Sequence, residues 1–237
     1  MAPIEFPIWF INHRGQTYGI PTISNLLLRT SQLSNSTTSF KRYADTGTLI
    51  GEFMAFDPRS DRAQTAIART KFLHKGYRAS GKILEADMLY TLSLFATEPI
   101  RLVKRYEWRE LTELEQCAFG TYWKSLGDAL EISYDILPSG QTGFRDGIHW
   151  LEEINAWSEQ YEEEHMKPHI RNKEIADKTI DVIVYNLPGF MKPLGVHFVS
   201  FFMDDRLRKA MMYVHVPSFL PPSFLQVRLD DTNTHMS

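Results

Sequence analysis

The residues with the clearest potential for chemistry are a histidine and three cations in one predicted helical segment. His74 lies on the apolar stripe of this segment, and Arg62, Arg69 and Lys71 precede it. Haem takes an axial ligand from an apolar wall and cations for its propionates, so these residue types could bind haem. A hydrogen-bonded core histidine with exposed basic neighbours fits the same pattern and, on the residues alone, is the favoured interpretation.

Other patterns with a chemical meaning have simpler structural interpretations. His165 and His169 have the spacing of two metal ligands on one helix, but Pro168 between them breaks the turn that such a pair requires. Cys117 lies on the apolar stripe of a predicted helix, where a buried thiol is inert. The acidic run at 162–164 is interpreted as a solvated face. The sequence has no P-loop, G-x-S-x-G or H-E-x-x-H motif, so it gives no sign of those chemistries.

The composition is that of an ordinary globular protein. Of the 237 residues, 43% are hydrophobic and 23% are charged, and a net charge of −3 with interspersed signs predicts no nucleic-acid partner. The aromatic content of 13% allows a pocket for an apolar ligand, and the single cysteine indicates a reducing compartment. The most apolar stretch, 187–203, contains Lys192 and two prolines and is shorter than the roughly 20 residues of a membrane span. We therefore predict no integral span.

Apolar residues recur at helical spacing along most of the chain. Predicted helices begin near Pro21, after Ser36 and after Ser60, and a fourth begins near Leu84 and is disturbed at Pro99. Strand signals are nearly absent. These patterns predict an all-α fold, a single-domain multi-helix globular bundle over residues 1–215 with a loosely ordered C-terminal tail over 216–237.

Sequence patterns also predict helix starts in the second half of the chain and several residues of the core. Thr112 and Glu115 have the spacing of a capping box, and Leu114 follows on the apolar stripe of that helix. Further helices are predicted over about 144–166 and 172–186, with Asp204 as the N-cap of a short helix near the end. The side chains expected to be buried together are Trp123, Leu126, Leu92 and Leu73.

Several blocks of the sequence resemble a known family. The resemblance is to the fungal ER-bound oxygenases of the MpaB type, known from mycophenolic acid biosynthesis, and more distantly to the catalytic domain of rubber oxygenase (latex clearing protein). It extends over about residues 17–213, and the matching blocks are 17–24, 38–43, 49–52, 68–74, 80–84, 89–92, 107–109, 119–128 and 204–211.

The resemblance implies an all-helical oxygenase of fungal secondary metabolism that oxidises or cleaves a C=C bond in an apolar prenylated or terpenoid substrate. Rubber oxygenase does this with haem b, and its ligand histidine lies on the helix corresponding to 87–96. This sequence has no histidine there. Three possibilities therefore stay open for the iron ligand. His74 or another histidine could bind the iron, Tyr90 could bind it, or haem could be bound in a different way. The predicted site residues are His74 as iron ligand with Arg69 and Arg62 for the cofactor, and Lys71, Glu52 and Tyr90 for catalysis.

A haem-free alternative is a helical terpenoid- or polyketide-binding protein that acts as an isomerase, cyclase or carrier. The missing histidine favours it, as does the chain length, because the fungal members are typically longer, with an N-terminal membrane anchor and a tail. The expected location is cytoplasmic, and the open alternative is a peripheral contact with the cytosolic face of the endoplasmic reticulum through apolar residues at 4–11.

Overall fold

The computed structural model describes residues 15–30, 36–185, 187–201 and 203–213, with the side chains at 36–40, 42, 43, 198, 200 and 201 outside that description. Over these ranges the chain is helical and contains no strand, which confirms the predicted all-α fold. The predicted tail at 216–237 lies outside the described residues. The helices are α1 (Pro21–Arg29), α2 (Ser36–Ala55), α3 (Asp61–Ala79), α4 (Glu85–Tyr106), α5 (Glu113–Ala129), α6 (Gly147–His165), α7 (Ile170–Ile183), α8 (Lys192–Phe201) and α9 (Asp205–Ala210), with a 3₁₀ turn (Gly189–Met191) before α8.

The predicted helix starts at Ser60, Thr112 and Asp204 are confirmed by their caps. The Ser60 side chain accepts a hydrogen bond from the backbone N–H of Ala63. Thr112 and Glu115 form the reciprocal capping box, in which the Thr112 N–H donates to the Glu115 carboxylate at 2.8 Å. Each cap satisfies backbone N–H groups that the first turn of a helix leaves without a partner.

Two details of the predicted helices are wrong. α4 continues through Pro99 to Tyr106 instead of being disturbed there. Pro99 is buried in this helix, so packing on both sides outweighs the one backbone hydrogen bond that proline cannot donate. Leu114 lies in the first turn of α5 and is 80% exposed, so it does not belong to the apolar stripe of that helix.

α4 lies between two hydrophobic cores. The first core, which we call the front core, contains Trp123, Trp150, Leu126 and Leu92 and is formed by α2 to α6. Trp123, Leu126 and Leu92 are buried together as predicted, but Leu73 is only half-buried and is not among the buried residues of this core. The second, the rear core, is formed by α1, α4, the end of α6 and α7 to α9. α4 therefore contributes apolar side chains to both.

The contact between α5 and α6 depends on two glycines. A Cβ at Gly120 would lie 2.2 Å from the carbonyl oxygen of Gly147, and a Cβ at Gly147 would lie 2.2 Å from the carbonyl oxygen of Cys117. Only glycine permits so close an approach of two backbones. By contrast, a Cβ at Gly47 or Gly51 on α2 would meet no atom within 4 Å.

Candidate active site

The structure places the predicted site residues in two separate regions. Glu52 lies on α2, and Arg62, Arg69, Lys71 and His74 lie on α3. We call these two helices the α2–α3 pair. Tyr90 lies on α4 and is a fully buried member of the rear core. The residues predicted for the cofactor are therefore together on one helix, but Tyr90 does not share their surface.

Ion pairs occupy most of the charged groups on the α2–α3 pair. The guanidinium of Arg62 donates to both oxygens of Glu52, at 2.7 and 2.5 Å, and also lies over the ring of Phe56. The ammonium of Lys71 donates to Glu131 at 2.6 Å. The hydrogen bond from Arg62 lowers the pKa of Glu52, which keeps it ionised at neutral pH. These are solvent-facing pairs rather than a dry catalytic site.

Helix geometry separates His74 from the two arginines predicted to bind the same cofactor. Each residue of an α-helix advances the side-chain direction by about 100°. Arg69 therefore points about 140° away from His74, and Arg62 points about 120° away from it, whereas Lys71 differs by only about 60°. His74 itself is half-buried. The donor types are those that haem needs, but His74, Arg69 and Arg62 do not converge on one side of α3 and as a set do not fit haem.

Tyr90 has a specific partner in its buried position. Its hydroxyl donates to an oxygen of Glu162 on α6 at 3.0 Å, and Arg206 on α9 donates to the other oxygen of that carboxylate at 3.3 Å. Burial raises the pKa of Tyr90 well above its ordinary value and also raises the pKa of Glu162. The interpretation of 162–164 as a solvated face is therefore wrong for Glu162, whose side chain is only 12% exposed.

A second buried carboxylate lies two helical turns further along α4. Glu98 is 3% exposed and accepts a hydrogen bond from Arg101 at 2.7 Å. The side chain of Gln16 also hydrogen-bonds to Glu98, while the Gln16 amide oxygen is buried without a partner among the described residues. Burial raises the pKa of Glu98, and the nearby charge of Arg101 opposes that shift. Such a group can hold a proton inside the protein closer to neutral pH than an exposed glutamate can.

Asp87, near the start of α4, is the third buried acid of this region and the second on this helix. One of its oxygens accepts hydrogen bonds from the hydroxyl of Tyr161 at 2.7 Å and from that of Thr22 at 2.9 Å. Burial raises the pKa of Asp87 and, together with the hydrogen bond to Asp87, that of Tyr161. The ring of Tyr161 packs 5.2 Å from that of Tyr90, centroid to centroid. We call Asp87, Tyr90, Glu98 and their partners the α4 polar cluster.

The sequence prediction included Tyr90 but missed the acids around it. Asp87 and Glu98 are separated from Tyr90 by three and eight residues, spacings that keep both near its side of a helix. They occur in a segment whose other residues are mostly apolar, and that pattern was an available signal. Buried acids with raised pKa values and defined partners are the type of group that clusters at active sites. The α4 polar cluster is therefore the better-formed candidate for proton chemistry.

A small cavity lies at the rear core. It is lined by Tyr18, by Ile180 and Ile183 of α7, and by Val199 and Leu207. Its volume of about 20 Å³ accommodates little more than one water molecule, whereas small-molecule pockets measure roughly 300–1,000 Å³. No predicted site residue lines this cavity. In the part of the chain that the structure describes, no group of three or more His, Cys, Asp or Glu could hold a metal ion.

Comparison with known proteins gives three close relatives, and no protein-family model matches the chain. The chain is 59% identical over 218 residues to the ER-bound oxygenase mpaB of Penicillium roqueforti, covering 90% of this chain and 73% of that protein. It is 58% identical over 218 residues to the ER-bound oxygenase mpaB' of Penicillium brevicompactum, covering 90% of this chain and 51% of the relative. A second Penicillium brevicompactum protein, ER-bound oxygenase mpaB, is 56% identical over 191 residues, 78% of this chain and 48% of its own length.

These relatives bear on both the class and the location of the protein. The chain spans about half the length of the two Penicillium brevicompactum proteins. All three are named as oxygenases, the enzyme class predicted from the sequence, and all three are named as bound to the endoplasmic reticulum. None of the helices within the described ranges combines the length and the apolar character needed to cross a membrane. With 59% identity over nearly three quarters of its first relative, this chain belongs to the family of fungal ER-bound oxygenases of the mpaB type.

Proposed function

We propose that the protein is an oxygenase of fungal secondary metabolism that cleaves a C=C bond in a prenyl or terpenoid chain. The observation that carries this proposal is the identity of 59% over 90% of the chain with a protein named as an oxygenase. Relatives this similar share their fold, and their reaction class is the best starting hypothesis. The prenyl or terpenoid character of the substrate rests on the resemblance to rubber oxygenase.

The proposed reaction balances with dioxygen alone. Both bonds of the alkene and the O–O bond break, and each former alkene carbon becomes a carbonyl that carries one atom of the dioxygen molecule. No further reductant is needed. Tyr90 is the catalytic residue that we propose within the α4 polar cluster, where its hydroxyl and Glu162 can exchange a proton at 3.0 Å. Lys71 and Glu52 stay predicted catalytic residues on the α2–α3 pair.

The reaction is tested with phenols that carry prenyl chains of increasing length, incubated under ¹⁸O₂. Immediate reduction of the products to alcohols prevents exchange of the label with water. We expect one ¹⁸O atom in each of the two fragments. Hydroxylated or epoxidised product with the carbon chain intact would contradict cleavage while leaving an oxygenase, and unchanged substrate at every chain length would contradict the proposed substrate class.

The role of Tyr90 is tested by Tyr90→Phe, with Tyr134→Phe as the matched control. Tyr134 is also largely buried, but its hydroxyl donates to the backbone carbonyl of Lys124 rather than to a carboxylate. Loss of a general acid or base typically lowers kcat by a factor of about 10² or more. We expect such a loss only in Tyr90→Phe. An equal decrease in both variants would indicate a structural role.

Haem b, with His74 as its predicted iron ligand, is tested by the absorption spectrum of protein reconstituted with haem. Binding through His74 predicts a Soret band that is lost in His74→Ala while the helical content is unchanged, and weaker haem retention in Arg69→Ala. A band that survives in His74→Ala would move the ligand elsewhere, with Tyr90, His149 and His197 next. A wild-type protein that never takes up haem would contradict every haem assignment, including that of Arg62.

The haem-free alternative is supported by a specific observation on α3. Arg62 and Arg69 lie about 120° and 140° around the axis of α3 from His74, an arrangement that supports a protein without the expected haem site. A protein that lacks a Soret band and returns a bound prenylated phenol isomerised or cyclised without gain of oxygen would be the isomerase or cyclase of the alternative. One that binds the prenylated phenol and returns it unchanged would be the carrier.

The family name also supports a peripheral location on the endoplasmic reticulum, and we propose its cytosolic face. The apolar residues at 4–11 that were predicted to make this contact lie outside the described residues. Extraction of microsomes with carbonate should release a peripheral protein into the supernatant. Retention in the pellet would contradict a peripheral contact.

A further inference from the structure

The connection between α7 and α8 exposes apolar side chains on one short segment. Tyr185 is 62% exposed, Phe190 is 84% exposed and Leu194 is 64% exposed, with Met191 between them. We call the described residues of this connection, 185 and 187–194, the rear hairpin. Exposed apolar side chains are common on proteins one at a time, but several within ten residues mark a contact surface.

The rear hairpin is folded against the protein on its other side. A Cβ at Gly195 would lie 2.7 Å from Cδ1 of Leu187 and 2.8 Å from Cγ1 of Val184, so α8 approaches the end of α7 closely. The N–H of Leu187 donates to the carbonyl of Val184 at 3.0 Å. The inner side of the segment is therefore packed in the rear core, and Phe190 and Leu194 are its outward residues.

The charge of the rear hairpin restricts what can cover it. No Asp or Glu occurs between Asp181 and Asp204, and the exposed Lys192 is the segment's one formal charge at neutral pH. Aromatic and aliphatic side chains beside a lysine suit the interface of a phospholipid bilayer, where the lysine stem lies along the acyl region and its ammonium reaches the phosphates.

Trp108 and Leu114, two other strongly exposed apolar residues, lack this setting. Trp108 is 82% exposed and Leu114 is 80% exposed, but both are close to carboxylates. Arg109 beside Trp108 is paired with Glu115 at 2.7 Å. Carboxylates so close to the surface would be repelled by anionic headgroups and costly to desolvate. Exposure alone therefore does not distinguish the rear hairpin from this pair, whereas the absence of Asp and Glu from residues 182–203 does.

We propose that the rear hairpin docks on a phospholipid bilayer, with Phe190 and Leu194 at the boundary of the acyl chains and Lys192 at the level of the phosphates. This proposal rests on the peripheral location proposed above, and it names the surface that makes the contact. It does not depend on the oxidation chemistry. The same docking would bring the rear core next to the phase in which an apolar prenyl substrate is dissolved.

The test is vesicle flotation of the full chain, with no substrate present. The vesicles are phosphatidylcholine alone or phosphatidylcholine with a minor fraction of phosphatidylinositol. The double variant Phe190→Ser/Leu194→Ser should lower vesicle affinity by at least about tenfold, because two large apolar side chains are removed from the acyl boundary. The matched control Trp108→Ser/Leu114→Ser, which removes equally exposed apolar residues, should bind like the wild type.

A second variant tests the charge. Lys192→Gln should lower affinity for the anionic vesicles by about fivefold, the effect of one cation near an anionic surface, and should leave affinity for neutral vesicles nearly unchanged. Equal losses on both vesicle types would contradict the placement of Lys192 at the phosphates.

Four other outcomes would overturn the proposal. Equal losses in the double variant and its control would show that the rear hairpin is not the docking surface, while the peripheral location would stand. A wild-type chain that does not float would overturn both. If light scattering detects a dimer of the wild type that only the double variant loses, the rear hairpin would be the contact with a second copy of this chain and not with a bilayer. A lowered melting temperature in the double variant without vesicles would indicate that another segment of the chain covers it.

Discussion

The α2–α3 pair and the α4 polar cluster contain the same types of charged residue in opposite environments. On the α2–α3 pair, Arg62 and Lys71 meet their carboxylates at the surface. In the α4 polar cluster, Glu98 and Asp87 are almost fully buried. Pairing with Arg62 and Lys71 lowers the pKa values of Glu52 and Glu131, whereas burial raises those of Asp87 and Glu98.

This difference teaches that an ion pair alone does not decide the direction in which a pKa moves here, because burial can outweigh it. Glu98 has an arginine partner at 2.7 Å, as Glu52 has, yet the pKa values of the two glutamates move in opposite directions. Water screens the pair on α2–α3, while loss of water dominates at α4. The buried region is accordingly where single changes should have large effects.

The largest effect is expected from a glycine substitution at the buried contact between α5 and α6. Gly120→Ala places a methyl 2.2 Å from the carbonyl oxygen of Gly147, a backbone atom that cannot move away cheaply. We expect a loss of about 3 kcal/mol or more in the free energy of unfolding, measured by urea denaturation. The same change at Gly51 of α2, where nothing lies within 4 Å, should stabilise by up to about 1 kcal/mol. If both substitutions changed the free energy of unfolding in the same direction, the proposed difference between the two glycine positions would be wrong.

Tyr90→Phe should have the next largest effect. It removes the donor to a carboxylate that is itself mostly buried, which costs about 1–3 kcal/mol in the free energy of unfolding. Tyr134→Phe, which releases only a backbone carbonyl, should cost about 1 kcal/mol. Urea denaturation of both variants at pH 7 measures the difference. A larger loss of unfolding free energy in Tyr134→Phe would show that the hydrogen bond from Tyr90 to Glu162 contributes little to stability.

Glu98→Gln should mainly change how the free energy of unfolding depends on pH. Its effect on the free energy of unfolding at any single pH should be smaller. Because the folded pKa of Glu98 is raised above 4.5, the folded state binds more protons than the unfolded state above that pH. The stability due to this group is therefore complete below the unfolded pKa and is lost as the pH rises through the folded pKa. The melting temperature of Glu98→Gln, measured relative to the wild type, should therefore rise as the pH increases above 4.5 through the folded pKa.

Glu131→Gln provides the opposite sign on the surface. Its carboxylate has a lowered pKa because of the hydrogen bond from Lys71, so its contribution is present above the unfolded pKa and is lost on acidification. Its melting temperature relative to the wild type should rise as the pH falls below 4.5. If the melting temperatures of Glu98→Gln and Glu131→Gln, each relative to the wild type, changed with pH in the same way, the two glutamates would not lie in opposite environments.

The smallest effect is expected from Lys71→Gln. The pair with Glu131 is solvent-facing, and such pairs contribute little to folding and are screened by salt. The melting temperature should stay within experimental error of the wild type in high salt, with any difference visible only at low ionic strength. A large loss that persists in high salt would show that Lys71 has a role which the ion pair does not explain.

The sequence was most informative where a structure depends on neighbouring residues. The capping box at Thr112 and Glu115 needs only local spacing, and the break at Pro168 follows from the chemistry of one residue. Pro99 was misjudged because the two cores that hold α4 straight are assembled from distant segments. Glu162 was misjudged for the same reason, since Tyr90 and Arg206, 72 and 44 residues away, are what make it an interior group.

The position of α4 between the front and rear cores bears on how the protein unfolds. Leu89 and Leu92 pack in one core, Tyr90 and Leu94 in the other. Melting either core would strip one side of this helix and remove the support of the other. A single calorimetric transition follows, rather than two, and the amide hydrogens in the middle of α4 should exchange with deuterium only when the whole molecule opens.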